Sequence, residues 1–187
     1  MRSALLAIAL LSVACASSGC TPMSTYPPEG KEAAVPWMYP IPQVMAKSLA
    51  EAYKKTAVPK DGTLPPLVFN LPPGITYGVW DQVQIDIGIE GARYATEEDI
   101  QNGIPVWSVK RITVRGMEAK VDVVYPENGV YQLAVVGLKS PAFGTFKATS
   151  FQRFLIAAQK PVANNPYDSH EAPSEIAHTD GDSDGTE

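Results

Sequence analysis

Cysteine and histidine are almost missing from this chain. Cys15 and Cys20 both fall within the first twenty residues, and His170 and His178 both lie near the C-terminal end. The long stretch between Cys20 and His170 has neither. That absence excludes a disulfide framework, a thiolate or histidine-rich metal site and cysteine catalysis from the stretch. It equally excludes a Ser-His-Asp arrangement. No G-x-G-x-x-G or Walker loop occurs, so nothing points to a nucleotide, a resident metal or any other cofactor. With no catalytic residue to name, an enzyme is the less favoured class.

What is present begins with an export pattern. Met1-Arg2 gives a short positive start, and Ala4–Ala14 is apolar except for Ser12. Such a run has the length of a signal-peptide core and falls well short of the ~20 apolar residues a membrane span needs. Ser17-Ser18-Gly19-Cys20 follows at once. This resembles the lipobox of bacterial lipoproteins, with Ser17 standing where that pattern has Leu. The resemblance covers residues 1–20 and implies that 1–19 are a removed signal, that Cys20 is the acylated (palmitate-bearing) lipid attachment residue, and that the protein works in the bacterial cell envelope. Thr21, rather than Asp, after the cysteine resembles the pattern sent to the outer membrane in Gram-negative cells. The alternatives are acylation at Cys15, ordinary signal-peptidase cleavage without lipid, and a retained N-terminal anchor.

Charge is segregated along the rest. Residues 21–103 carry −4, residues 104–160 carry +5 and residues 161–187 carry −7. The basic half can sit as a solvated face, pair with the acidic end, or meet an envelope protein or anionic polymer. Export and a net charge of −5 argue against nucleic acid.

Residues 20–42 hold six of the 17 prolines and read as an extended tether, able to span ~70 Å. Trp37-Met38-Tyr39 interrupts it, as a membrane-interface anchor, a partner site or packing onto the domain. A globular domain is expected over 43–160. Its first element is a helix over Val44–Thr56, with Met45, Leu49, Ala52 and Tyr53 on one stripe and Glu51→Lys55 as a favourable pair. Residues 58–76 read as irregular. Val79–Ile87 alternates and predicts a half-buried strand, with Val79, Asp81, Val83, Ile85 and Ile87 on one face. Thr96-Glu97-Glu98-Asp99 predicts a capped helical turn. Val106–Ile156 predicts four antiparallel strands, with a hairpin turn at Pro126-Glu127-Asn128-Gly129. Residues 161–187 read as an acidic disordered tail, too poor in apolar groups to offset ordering entropy.

Two features invite a chemical reading. Asp180–Gly185 resembles the first half of an EF-hand calcium loop, but the bidentate Glu of its last position is lacking, so it reads as a solvated acidic end and no metal site is expected. Asp81 is the one acid placed among apolar neighbours, a candidate pocket acid able to serve as a base. Its alternative is a strand-edge position that reaches water.

Together these features predict an α+β fold, one amphipathic helix packed on a curved antiparallel β-meander. That order is similar to cystatin-like and NTF2-like architectures. The alternative is a small β-sandwich or barrel. The expected function is a membrane-tethered envelope lipoprotein acting as a non-enzymatic binding or structural module. The rival is an NTF2-like pocket domain that binds or converts a small apolar ligand, and a closed apolar pocket containing Asp81 would favour it.

Overall fold

The computed structural model describes residues 23–28, 33–59, 62–142 and 144–168. Among them the chain forms β1 (Met23–Tyr26), α1 (Ile41–Thr56), β2 (Val68–Asn70), α2 (Tyr77–Ile87), β3 (Arg93–Tyr94), α3 (Glu97–Gln101), β4 (Val106–Arg115), β5 (Glu118–Glu127), β6 (Val130–Lys139) and β7 (Lys147–Ala158). The strands make one open seven-stranded sheet in the order β3-β2-β4-β5-β6-β7, with β1 also on β4. The class is α+β. A single open sheet replaces the sandwich or barrel alternative.

The meander β4–β7 is antiparallel throughout, as its alternation predicts. Asn128 (φ 51°) and Gly129 (φ 80°) make the β5–β6 turn, the two positive φ values that such a hairpin needs. On β4, Trp107 and Val109 are buried, then Ile112 and Val114. The change of parity falls at a bulge between Val109 and Arg111, which returns the following residues to the inner face.

Helix α1 lies across β4–β7 and buries Val44, Met45, Leu49, Ala52 and Tyr53. It starts slightly earlier than predicted, with Pro42 in the first turn, where a missing N–H costs nothing. The Tyr53 ring meets Trp107 edge-on at 5.2 Å, and the Trp107 indole donates to Thr56 Oγ1 at 2.8 Å. Met45, Leu49, Ile112, Tyr125 and Leu138 fill the rest of the space between helix and sheet, each almost completely buried.

Four expectations are corrected. Val79–Ile87 lies within a helix, not a strand. Val79, Val83 and Ile87 are spaced by four, a spacing that serves either period, and all three are buried. Trp80 and Ile85 decide between them. Trp80 is fully buried while Ile85 is 72% exposed, the reverse of the strand reading. Gly88, in the left-handed region, ends the helix.

The second correction is in the irregular stretch 58–76, which contains β2. Its apolar run pairs in parallel with both β3 and β4. The third concerns the tether. The described parts of the proline-rich segment, residues 23–28 and 33–42, belong to the fold. Met23–Tyr26 pairs antiparallel with Ile112–Arg115, on the β4 edge that β2 leaves uncovered, and the buried Tyr26 donates to Pro73 O at 2.7 Å.

The fourth concerns the start of the tail. Residues 161–168 form a strap laid against the back of the β2–β3 corner. Asn70, fully buried in β2, donates to Val162 O (2.9 Å) and accepts from Asn164 N (3.1 Å), while Asn164 Nδ2 donates to Leu71 O (2.9 Å). Side-chain amides thus do what a further strand would do. Ala163 packs on a small second core of Val68, Ala95, Ile100 and Val106. Residues 169–187, with both histidines and the EF-hand-like run, lie outside the described residues.

Candidate functional site

Asp81 is not a pocket acid. Helix α2 puts it on an exposed face with Tyr77 and Ile85. Its Oδ1 accepts from two hydroxyls, Tyr94 at 2.5 Å and Tyr167 at 2.9 Å. Tyr94 and Tyr167 stack in parallel with centroids 5.4 Å apart, and Tyr77 meets Tyr167 edge-on at 4.8 Å. Burial, then the hydrogen bond to Asp81, pushes the Tyr94 phenol well above its ordinary range, and the same two causes raise Tyr167 more modestly. Both phenols stay protonated near neutrality and donate. Asp81 therefore clips the strap to α2 and β3, a structural task.

Thr96 and Asp99 form the predicted cap in full. Asp99 N donates to Thr96 Oγ1 at 3.1 Å, and Thr96 N donates to Asp99 Oδ2 at 2.9 Å. Arg93 adds a two-pronged contact to Asp99 at 2.5 and 2.6 Å. That guanidinium holds the Asp99 carboxyl down at about 2. From the strap, Asp168 accepts from Glu97 N at 2.9 Å. This cluster is fully occupied with holding α3.

A concavity lies at the end of the sheet that holds the β5–β6 hairpin. It is a groove of about 610 Å³. Its walls are Val58 and Pro65 after α1, Pro105 before β4, and Pro126, Val130 and Tyr131 of the hairpin. Pro65 and Pro105 lie in connections outside the strands, and Pro126 sits in β5 opposite Tyr131 beside the hairpin turn, so three separate chain segments gather here. Val58 is 75% exposed and Val130 52% exposed, so the groove is open to solvent. The Trp107–Thr56 pair described above forms its floor. At the rim Glu127 pairs with Arg153 at 3.0 Å, and Arg153 also donates to Lys55 O at 2.7 Å. Among the described residues, the one acid lining the groove is thus already held by a cation that closes the end of α1.

This arrangement offers apolar surface and few polar groups. It places no nucleophile beside a base. Among the described residues no group of three or more His, Cys, Asp or Glu is placed to hold a metal ion, and no helix is long and apolar enough to cross a membrane. The groove was not foreseen from sequence. Its prolines are visible there, but their meeting depends on three segments far apart in the chain. Cys20 lies outside the described residues. No protein-family model, curated protein or solved structure matches this chain.

Proposed function

We propose that the chain is a lipid-tethered protein of the bacterial cell envelope, on the outer membrane in a Gram-negative cell, whose folded domain is a non-enzymatic binding module. The short apolar run ending at Cys20 supports the tether. One observation carries the binding role: the open, mainly apolar groove at the hairpin end, whose carboxylate Glu127 is already paired with Arg153. Met23, three residues after Cys20, is at the opposite end of the sheet, next to the β4–β5 turn. Ten-residue strands separate the two ends by ~30 Å. A tether at one end thus presents the groove away from the membrane.

The NTF2-like alternative draws on the groove's volume, which falls within the range of small-ligand pockets. Against it, the space between α1 and the sheet is filled by side chains, and Asp81 is outside. The basic half is a further contact surface for an envelope protein or anionic polymer. Its three acids, Glu118, Asp122 and Glu127, are each paired with a cation, Lys139, Arg111 and Arg153.

The test is capture from detergent-solubilised envelope by the full chain and by Val130→Asp, which puts a charge in the groove wall. A protein retained by the wild type and lost with V130D identifies the partner. Identical retention by both sinks the groove as the binding site. Saturable uptake of a small apolar probe, with no V130D-sensitive protein, favours the alternative.

A further inference from the structure

We infer that the end of the sheet where β1 begins is a membrane-contacting face that takes phospholipid headgroups. This inference rests on the tether reading, with Cys20 acylated. Three residue steps separate Cys20 from Met23, and a chain spans at most ~3.6 Å per residue. Because β1 is fixed on β4, a lipid on Cys20 holds Met23 within roughly 10 Å of the headgroups. A long tether would leave orientation free, and this short one does not.

The face held there has the composition that such a position needs. Met23, Trp37, Met38, Tyr39 and Met117 are each 45–67% exposed. Of the three tryptophans, Trp80 and Trp107 are buried and Trp37 alone is exposed, and of the described methionines only Met45 is buried. The exposed residues belong to one end of the molecule. Met23 pairs with Arg115 at the end of β4, and the turn containing Met117 follows. Ser140 N donates to Met117 O at 2.9 Å, which joins the β6–β7 loop to that turn. The Tyr39 hydroxyl donates to Gly144 O at 3.2 Å, and Gln43 accepts from Phe146 N at 3.0 Å, which brings the start of α1 to the same loop.

Cations rim this face. Arg115 on β4, Lys139 on β6 and Lys147 on β7 stand in one cross-strand row with Glu118 of β5, which pairs with Lys139, so among these described residues the cations outnumber the acid. Exposed Trp, Tyr and Met side chains beside Arg and Lys match the polar–apolar boundary of a bilayer, where amphipathic rings and cation-bearing stems both find their solvent. The cations further favour anionic headgroups.

The experiment uses the full chain made with its own signal, reconstituted into phosphatidylethanolamine–phosphatidylglycerol vesicles that carry brominated acyl chains, a contact quencher of tryptophan. With Trp80 and Trp107 buried, quenching reports on Trp37. The expected result is loss of emission on the brominated lipid, abolished by Trp37→Ala, with no quenching when V130W is added to W37A at the far end. Intact mass reads Cys20 separately. Acylated protein without Trp37 quenching, or with V130W quenched equally, overturns the inference and leaves the tether reading standing. Unacylated protein overturns the tether reading, and the orientation then survives only if vesicles still quench Trp37. A concentration-dependent change in Trp37 emission without vesicles assigns the face to a second copy and overturns the lipid assignment.

Discussion

The meander and the β2–β3 corner are held together by different means. β4–β7 is a continuous backbone ladder under one apolar helix. The corner has strands of three and two residues, and its outer layer is fastened by side chains: Asn70 and Asn164 on the strap, Asp81 under two tyrosines, Asp168 and Asp99 at α3. A ladder spreads its stability over many equivalent bonds, and losing one costs little. A clipped corner concentrates it in a few side chains, so single substitutions there have local and legible effects.

The largest effect is expected where the two regions share a core. Trp107→Ala removes the ring against Tyr53 and the bond to Thr56, and is expected to cost about 4 kcal/mol, with both regions unfolding in one denaturant transition. Separate transitions would show that the corner and the meander are not one cooperative unit.

Next comes the strap. Asn70→Ala leaves Val162 O without its buried donor and Asn164 N without its acceptor, for a cost of roughly 2 kcal/mol. Deleting residues 161–187 removes the same bonds and is expected to lower Tm by roughly 5 °C, whereas deleting only 169–187 removes none of them. Hydrogen exchange should rise in α2, α3 and β2 and stay slow in β5 and β6. Unchanged exchange in the corner would show that the strap contributes nothing to it.

A smaller effect follows from Arg93 and Asp99. The Asp99 carboxyl titrates at about 2 in the fold against an ordinary 3.8, so its pairing stabilises the protein above the ordinary value and is lost as pH falls from about 4 towards 2. With Arg93 nearly half exposed, solvent screening reduces the contribution to about 1 kcal/mol. Arg93→Gln should remove most of that acid-dependent loss. An unchanged acid transition in R93Q would assign it to other carboxylates.

The same contrast explains what was legible in the sequence. The meander announces itself because alternation in β5 and the Asn128-Gly129 turn are local. So is the Thr96–Asp99 cap. In α2 the local signal is ambiguous, since Val79, Val83 and Ile87 fit both periods. The burial of Trp80 against Phe69 and Tyr94 and the exposure of Ile85 resolve it, and both are tertiary facts. β1 and the strap were hidden for a related reason. Prolines made the segment of β1 read as an extended tether and acids made the strap read as part of a disordered tail, while their partners lie 92 residues away for Asn70 and Val162 and on β4 for Met23–Tyr26. Composition weighs the average residue of a segment, and a few well-placed asparagines and tyrosines outvote that average.

The smallest expected effect is at Asp81. Asp81→Asn keeps one oxygen for the two hydroxyls on a solvent-exposed face, so the change at neutral pH should stay within about 0.5 kcal/mol. Alkaline pH separates the variants better. The Tyr94 phenol is raised in the fold, first by burial and then by the Asp81 carboxylate. A raised phenol contributes stability that is complete below its ordinary value of 10.0 and is lost as pH climbs through the folded value. Replacing the carboxylate by an amide removes the charge that opposes phenolate formation and leaves burial in place. Tyr94 and Tyr167 should therefore ionise at lower pH in D81N, with Tyr94 still above an ordinary tyrosine, and release of the strap should begin earlier on the alkaline side. Phenolate absorbance followed alongside Tyr167 NMR line shape reads both events. If ionisation shifts and the strap stays, the stacking of Tyr94 on Tyr167 rather than Asp81 is the clip. If neither moves, Asp81 has no part in holding the corner.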